Sequence, residues 1–491
     1  MDADGSPPPP PPLRVVIFPW LAFGHLLPYL ELAERMAARG HHVSFVSTPR
    51  NIARLPAPVT TSAVELVALP LPRVDGLADG AESTNDIPDD AQGLLMEAFD
   101  GLAAPFADFL AAACADDGGG GRRPDWVIAD SFHHWAAPAA ARHGVPCVAL
   151  LPSAAVMAAW VVPPPATSSS SSPAAAMPSY EWEKLKARFL AAATSHGSSS
   201  PASSGGMSLA TRCSLTLERC TLAAMRSCVE WEPEPFRAVA AGLGKPLVPL
   251  GLLPPSPAGS RRRRAVAGEE DDDSTNPLLR WLDAQPPSSV LYVALGSEVP
   301  LRVDQVHELA LGLELAGARF LWALRKPRSS SAASAAAAAA AAILPPGFQE
   351  RTASRGVVTM GWAPQIAILE HAAVGAFLTH CGRNSLVEGI SAGNPLVMLP
   401  IAGDQGPNAR LMEARKVGLQ VARDGADGSF DRHGVAAAVR AAIVDEETRK
   451  VFVANALKLR EVVADEELHE RYIDEFIHQL RLSSPTYLAS S

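Results

Sequence analysis

Residues whose types and spacing suit ligand binding are concentrated in the stretch Trp362–Gln405. Its pattern predicts a strand that ends at His380, a tight turn at Gly382 and a helix that begins at Asn384. The start of a helix presents unpaired backbone N–H groups and a partial positive charge, which suits a phosphate group. Small residues at the turn would let that phosphate approach the backbone. The stretch therefore predicts a phosphate site at a helix N-terminus.

Other side chains of the same stretch could hold the rest of a nucleotide sugar. Glu388, on the first turn of the predicted helix, could accept hydrogen bonds from two hydroxyl groups. Asp404 and Gln405 follow the next strand at the same sheet edge, and Trp362 offers an aromatic face for a flat base. Taken singly, Glu388 is also typical of a solvated helix and Trp362 of a core. Together they favour a nucleotide sugar.

A proton acceptor for an alcohol must come from elsewhere in the chain. His25 follows the first predicted strand and Asp130 ends another, so both would lie at the ligand-binding edge of one parallel sheet. Histidine titrates near neutrality, and a carboxylate partner fixes its tautomer and stabilises its cation. The alternative interpretations are helix N-terminal polarity for His25 and a helix cap for Asp130.

The signal in the sequence is less specific for the residues that would contact the acceptor. Trp20 and Phe23 are candidate aromatic contacts, and the low-complexity stretch Ala154–Met207 is expected to cover the acceptor. His133, close behind the proposed dyad, could line the acceptor pocket or begin an ordinary helix.

Alternating strands and helices would position all these residues. The first half predicts strands at Val15–Phe18, Val43–Val46 and Trp126–Ala129 and a helix at His25–Arg39. The second half repeats the alternation, with strands at Val290–Leu295, Phe320–Leu324, Val357–Met360, Val374–Thr379 and Pro395–Ile401 and helices at Val303–Ala316, Asn384–Ala392 and Pro407–Lys416. This order predicts an α/β fold of two doubly wound parallel sheets that face each other across a cleft.

Composition excludes several other classes. Lys and Arg number 42 against 52 Asp and Glu, and the net charge of −10 argues against a nucleic-acid binder or a polybasic membrane anchor. Six cysteines without a C-x-x-C pair argue against a disulfide scaffold and a structural zinc site. The acidic, proline-rich opening is unlike a secretory signal, so a cytoplasmic protein is expected. No G-x-G-x-x-G follows the first strand, which disfavours a dinucleotide-dependent dehydrogenase.

The stretch Trp362–Gln405 resembles, over its full length, the plant secondary-product glycosyltransferase signature box of the UDP-glycosyltransferases. Pro19–Pro56, Trp281–Glu298 and Leu344–Phe348 are also similar to that family, and most similar to the branch that adds a sugar to a sugar already on a terpenoid or flavonoid. The resemblance covers nearly the whole chain and implies the two-domain, Rossmann-like GT-B fold.

The expected organisation has five parts. These are a disordered tail (1–12), an acceptor-binding domain (13–253), a charged linker (254–278), a UDP-sugar-binding domain (279–465), and a C-terminal helix that packs back on the acceptor domain, with a tail (466–491).

The resemblance also implies a role for each matching residue. His25 and Asp130 would be the catalytic dyad, and the acceptor hydroxyl would displace UDP directly, with inversion. No metal and no cofactor beyond the UDP-sugar would be needed. On the donor side, Trp362 would stack on uracil and the Ala363 backbone would pair with its edge; Gln365 and Glu388 would hold the ribose; Ser297, His380, Asn384 and Ser385, with the turn at Gly382, would hold the diphosphate; Asp404 and Gln405 would bind the sugar.

One position departs from the family pattern, because Arg383 follows His-Cys-Gly where the family usually has tryptophan. Arginine is a fixed cation whose planar fork suits a carboxylate, and some plant members with arginine here use UDP-glucuronate. The alternative is that Arg383 points to solvent and that glucose is still transferred. We expect this second outcome, because Asp404 and Gln405 are the sugar contacts associated with glucose.

The expected protein is a monomeric enzyme whose partners are UDP-glucose (or UDP-glucuronate) and a small-molecule acceptor. It would transfer glucose to a hydroxyl group of a lipophilic compound, a terpenoid or flavonoid glycoside. The alternatives are a UDP-glucuronate-dependent glucuronosyltransferase and a catalytically weak UDP-sugar-binding protein.

Overall fold

The computed structural model of the chain describes most of its residues. These are 10–56, 63–115, 123–159, 162, 177–189, 207–255, 276–296, 301–325, 343–360 and 363–484. Two residues with a predicted donor-site role, Ser297 and Trp362, lie outside the described residues, as do most of the predicted tails and linker.

The first half of the chain forms a parallel sheet with helices on both faces. In the described residues its strand order is β3-β2-β1-β4-β5-β6-β7. The strands are β1 Arg14–Phe18, β2 His42–Ser47, β3 Val64–Ala68, β4 Trp126–Asp130, β5 Cys147–Leu151, β6 Leu222–Met225 and β7 Leu247–Pro249. The helices are α1 Phe23–Ala38, α2 Pro49–Arg54, α3 Gln92–Asp100, α4 Ala103–Cys114, α5 Ala136–Ala141, α6 Ala155–Ala158, α7 Ser179–Phe189, α8 Leu209–Arg219 and α9 Pro233–Gly242, with 3₁₀ turns at Thr84–Asp86 and Asp89–Ala91.

The second half of the chain also forms a parallel sheet with helices on both faces. Its described strands are ordered β10-β9-β8-β11-β12-β13, again all parallel. The strands are β8 Val290–Ala294, β9 Arg319–Leu324, β10 Gly356–Met360, β11 Val374–Thr379, β12 Leu396–Met398 and β13 Gly418–Gln420. The helices are α10 Pro277–Asp283, α11 Val303–Ala316, α12 Phe348–Thr352, α13 Gln365–Glu370, α14 Arg383–Ser391, α15 Gln405–Ala414, α16 Arg432–Ile443, α17 Glu446–Val463 and α18 Glu466–Leu482.

Continuous apolar strands explain why each sheet is covered on both faces. Successive side chains of a strand point to opposite faces. In β1, Val16 and Phe18 therefore enter one core while Val15 and Ile17 enter the other. Strand β8 divides its side chains between two cores in the same way. The two doubly wound sheets predicted from the sequence are confirmed.

The strand order places a switch point in each sheet. Strand β1 pairs with both β2 and β4, and β8 pairs with both β9 and β11, so the connections leave in opposite directions between β1 and β4 and between β8 and β11. The carboxyl ends of the strands beside such a point form a crevice that binds ligands.

Most predicted bounds agree with the structure to within one residue, and three elements differ by more. Val303–Ala316 and Val374–Thr379 have the predicted ends. The strand predicted at Pro395–Ile401 is only Leu396–Met398, because its partner β13 offers three residues for pairing. The helix predicted at Pro407–Lys416 begins and ends two residues earlier, at Gln405 and Ala414, and the helix predicted at His25–Arg39 begins two residues earlier, at Phe23.

The last helix, α18, returns to the first half of the molecule. Its Ile473, Phe476 and Leu480 side chains are fully buried in the same core as Ile17 of β1. The indole Nε1 of Trp126 donates to the carbonyl oxygen of Leu480 at 3.0 Å. The first sheet is therefore covered on one face partly by residues from the far end of the chain. None of the helices that the structure describes is both long and apolar enough to cross a membrane.

Candidate active site

A cavity of about 820 Å³ lies between the two sheets. Its wall includes residues that follow β1 and β4 in the first half and residues that follow β8, β11 and β12 in the second. The cavity therefore opens at the switch points of both sheets, where parallel α/β sheets bind ligands.

His25 and Asp130 meet at the first switch point. Nδ1 of His25 lies 2.7 Å from Oδ2 of Asp130. The backbone N–H of Trp20 donates to that same carboxylate oxygen at 3.0 Å, and the backbone N–H and hydroxyl of Ser131 donate to the other. Asp130 is fully buried, whereas the His25 side chain is 22% exposed and lines the cavity. The carboxylate is thus fixed in place and the imidazole faces the ligand space.

The charge of Asp130 determines the tautomer of His25. Burial alone would raise the pKa of Asp130, but the neighbouring His25 and the hydrogen bonds to the carboxylate lower its pKa to about 2. Asp130 is therefore ionised at neutral pH and can only accept a hydrogen bond. Nδ1 of His25 must carry the proton, which leaves Nε2 as the basic nitrogen. This is the arrangement that a general base requires.

The depressed pKa of Asp130 predicts a pH-dependent stability. Because this pKa is lower in the folded than in the unfolded chain, the carboxylate stabilises the fold above about pH 4, and this contribution is lost as the pH falls towards 2. Between pH 6 and pH 3, the unfolding free energy of the wild type should therefore fall by about 1 kcal/mol more than that of Asp130→Asn. Urea unfolding of both proteins tests this. Equal pH dependence would show that the carboxyl is not shifted.

His133 does not line the acceptor pocket, so that prediction is wrong. Its side chain is fully buried in an aromatic cluster, with its ring centroid 4.7 Å from the rings of both Phe18 and Phe99. Burial lowers the pKa of His133 to about 3, so the ring is neutral. The preceding residue, Phe132, lines the cavity instead, with its ring 6.3 Å from that of His25.

The first half gives the cavity an apolar wall near His25. Trp20 and Phe23, both predicted from the sequence, lie on this wall. Trp20 packs edge-on against Phe132 with ring centroids 5.7 Å apart. Helix α7 adds Leu185 and Phe189 from within the stretch expected to cover the acceptor. This wall suits a lipophilic molecule.

The predicted ribose-binding pair lies on the opposite wall. The side-chain amide of Gln365 donates to Oε2 of Glu388 at 2.6 Å, which joins the start of α13 to α14. The hydroxyl of Tyr292 on β8 donates to Oε1 of Gln365 at 3.4 Å. Gln365, Glu388 and Ala363 all line the cavity. Two adjacent polar groups of this kind can bind vicinal hydroxyls.

His380 lies between two glycines at the second switch point. A Cβ atom at Gly296 would lie 2.5 Å from both Cε1 and Nε2 of the His380 ring, and one at Gly382 would lie 2.5 Å from Nε2. Burial lowers the pKa of His380 to about 4, so the ring is neutral at physiological pH. Asn384 and Ser385 follow in the first turn of α14 and line the same part of the cavity. Neutral donors and a helix start suit a diphosphate.

The predicted sugar-binding residues are positioned by backbone contacts. Oδ2 of Asp404 accepts a hydrogen bond from the backbone N–H of Ala154 at 3.2 Å. Oε1 of Gln405 accepts from the N–H groups of Ile401 and Ala402 at 2.8 and 2.9 Å. The amide nitrogen of Gln405 is then the end that can donate to a sugar hydroxyl. Both side chains line the cavity.

The Arg383 side chain points into the cleft, so the expectation of a solvent-directed side chain is wrong. It lines the cavity and is only 5% exposed. Its Nη2 atom forms an ion pair with Oε2 of Glu232 at 2.7 Å. The arginine is therefore paired across the cleft.

Comparison with known proteins identifies the family. Residues 268–469 match the model of the family described as UDP-glucoronosyl and UDP-glucosyl transferase. UDP-glycosyltransferase 91B1 of Arabidopsis thaliana is 36% identical over 480 residues, which span 95% of this chain and 97% of the relative. The chain belongs to the plant UDP-glycosyltransferases.

Two further relatives of this UDP-glycosyltransferase are informative. Soyasaponin III rhamnosyltransferase of Glycine max is 35% identical over 482 residues, 96% of this chain and 95% of the relative. The crystal structure of Arabidopsis thaliana UGT89C1 complexed with UDP-L-rhamnose has a TM-score of 0.70 and 25% identity, and covers 96% of this chain and 100% of that one. The protein is a glycosyltransferase of the GT-B fold, on the sugar-on-sugar branch of the family, as the resemblance indicated.

Besides Phe132, several residues of the UDP-glycosyltransferase site were not predicted, and three of them contact donor-site residues. Glu232, the partner of Arg383, lies in a stretch without a recognisable pattern. Gly296 could have been found, since it follows an apolar strand in the similar segment Trp281–Glu298. Arg226, which lines the cavity, donates from Nη1 to Oδ1 of Asn384. This bond links the first half to α14, the phosphate helix, so named because its start is the predicted phosphate site.

Proposed function

We propose that this UDP-glycosyltransferase transfers glucose from UDP-glucose to a hydroxyl group of a small lipophilic acceptor, a terpenoid or flavonoid glycoside. The observation that carries the proposal is that one cavity is lined both by His25, the exposed member of the His25–Asp130 dyad, and by the predicted donor residues Gln365, His380 and Asp404. The dyad adjoins the apolar wall, and the donor residues form the opposite wall. An acceptor and a UDP-sugar can therefore meet within one cavity.

The chemistry follows from these positions. Nε2 of His25 accepts the proton of the acceptor hydroxyl while Asp130 stabilises the resulting imidazolium. The hydroxyl oxygen forms a bond to the anomeric carbon from the His25 side as the bond from that carbon to the UDP oxygen breaks. Attack opposite the leaving group inverts the configuration. The N–H groups at the start of α14 and the neutral His380 stabilise the charge that develops on the departing diphosphate.

An acceptor that already carries a sugar is supported by the relatives and by the cavity. The branch of the family to which the chain belongs includes a soyasaponin rhamnosyltransferase. The cavity of about 820 Å³ has room for a UDP-sugar together with part of a polycyclic or phenolic acceptor. Incubation with UDP-glucose and a mixed panel of flavonoid and terpenoid glycosides, followed by mass spectrometry, tests the proposal. A mass increase of one hexose on a panel member supports it, and the absence of any turnover would favour a UDP-sugar-binding protein.

The competing function is glucuronosyl transfer, which Arg383 first indicated. A free guanidinium in the cavity would favour the carboxylate of glucuronate. In this chain the guanidinium is already paired with Glu232, which removes the main argument for that donor. The same panel assayed with UDP-glucuronate separates the two activities.

Activity is expected to survive excess EDTA. We propose that no metal is needed, because helix N–H groups and His380 offset the charge of the leaving diphosphate. Initial rates should be equal within error after incubation with and without the chelator. Complete loss that Mg²⁺ or Mn²⁺ restored would contradict this donor site.

A further inference from the structure

The carboxylate of Glu232 accepts hydrogen bonds from Ser227 and Ala155 in addition to its ion pair with Arg383. Its Oε2 accepts from Nη2 of Arg383 at 2.7 Å and from the hydroxyl of Ser227 at 2.6 Å, and its Oε1 accepts from the backbone N–H of Ala155 at 3.0 Å. The Glu232 residue is only 2% exposed. The carboxylate belongs to the first half of the chain and the arginine to the second. Both oxygens are thus fixed, and they fix the arginine across the cleft.

The ion pair with Glu232 changes the charge that Arg383 presents to the sugar of the donor. Away from water, a carboxylate at hydrogen-bonding distance cancels much of the field of a guanidinium. Other charged side chains on the cavity wall include the carboxylates of Asp404 and Glu388 and the guanidinium groups of Arg226 and Arg325, and Arg226 is engaged by Asn384 and by the carbonyl oxygen of Leu252. Arg415, which donates to the carbonyl oxygen of Trp231, also interacts with the charge of Glu232. A sugar carboxylate beside Arg383 would therefore meet a guanidinium whose charge Glu232 already offsets.

A neutral sugar fits the same surroundings better. Nε and Nη1 of Arg383 are buried and have no hydrogen-bond partner within the described ranges of the chain. Buried donors without partners are costly, and a hydroxyl oxygen can satisfy them without bringing a charge.

We propose that Glu232 is a donor-specificity residue that acts through Arg383, by neutralising this cation so that the site selects an uncharged sugar over a uronate. The inference rests on the proposed function and deepens it, since it assigns the preference for an uncharged donor to a residue outside the signature box. Glu232 is a positioning residue, because its contacts are with Arg383 and the protein.

The test compares kcat/KM for UDP-glucose and UDP-glucuronate, with one shared acceptor and the full chain. The wild type should prefer UDP-glucose. Glu232→Gln releases the arginine charge, and it should raise the ratio of glucuronate to glucose turnover by about tenfold or more, since charge-assisted hydrogen bonds are the strong ones. Glu232→Asp keeps the negative charge and should retain the wild-type preference. A purely structural role would lower kcat/KM for both donors alike and leave the ratio of the two values unchanged. That result would overturn the proposal.

A second variant guards against loss of folding, because a buried charge without its partner destabilises a protein. Glu232→Gln combined with Arg383→Gln removes both charges and leaves the site neutral. Its donor ratio should stay within about threefold of the wild type. A shift of about tenfold in this double variant would show that the charge of Arg383 itself directs donor choice, against the proposal.

The outcomes also separate this inference from the proposed function. If the wild type used a different uncharged donor such as UDP-rhamnose, glucose would be the wrong donor while the role of Glu232 would stand. A wild type that used UDP-glucose, with an unchanged ratio in folded Glu232→Gln, would leave the function standing and reject the role of Glu232. A wild-type preference for UDP-glucuronate would reject both.

Discussion

Replacement of His25 by alanine should lower kcat by about 10²–10⁴-fold, the range typical of general base catalysis. The physical reason is the arrangement at the first switch point, where ionised Asp130 keeps the proton on Nδ1 and leaves Nε2 to accept the acceptor proton. UDP binding should be nearly unchanged, because the predicted donor contacts lie on the opposite wall of the cavity. Initial rates and calorimetric titration with UDP measure the two effects separately.

A matched control is His42→Ala, which removes an exposed histidine at the start of β2 in the same half of the chain. This variant should keep the wild-type rate. Retention of more than about a tenth of the activity by His25→Ala would show that another group is the base. Asp130→Asn should also be damaging, though less so, because an amide can orient the ring but cannot stabilise its positive charge.

Alanine at Gly296 should raise the KM for the UDP-sugar by about tenfold or more, which is the effect of losing roughly one strong hydrogen bond. The added Cβ would lie 2.5 Å from two atoms of the His380 ring, so the ring must move away from its place beside the phosphate helix. Gly296 also has a φ of +74°, which strains an alanine by about 1 kcal/mol. Donor KM and thermal stability should be measured together.

Gly317→Ala separates the two effects of this substitution. Gly317 follows α11 with a φ of +71°, but a Cβ there would meet nothing within 4 Å. The control should therefore lose stability to a similar extent while its donor KM stays at the wild-type value. Equal donor KM values for the two variants would mean that the position of His380 does not govern donor binding.

Regular patterns explain what could be predicted from the sequence. The apolar strands that become β1 and β4 indicated that His25 and Asp130 would share a sheet edge, and the structure brings them to 2.7 Å. The signature stretch likewise indicated the neighbours of His380. Such residues are predictable because strand ends in a parallel sheet fall on one edge.

Contacts that depend on the closure of two domains could not be predicted in this way. Glu232 and Arg383 are far apart in the sequence, and neither pattern nor spacing indicates their pairing. The error at His133 has a different cause. Phe132 and His133 follow β4 in a turn, where side-chain direction changes from one residue to the next and has no fixed period, so the aromatic ring faces the cavity and the imidazole faces the core.

The return of α18 to the first sheet has a consequence for how the chain acquires its structure. During synthesis, domains tend to fold in order from the N-terminus. Here the core around Ile17 and Trp126 stays incomplete until Ile473, Phe476 and Leu480 have been made. We therefore expect one face of the first sheet to stay partly uncovered while the second half is translated. Completion of the first core would then follow synthesis of the last helix, which would couple the folding of the two halves.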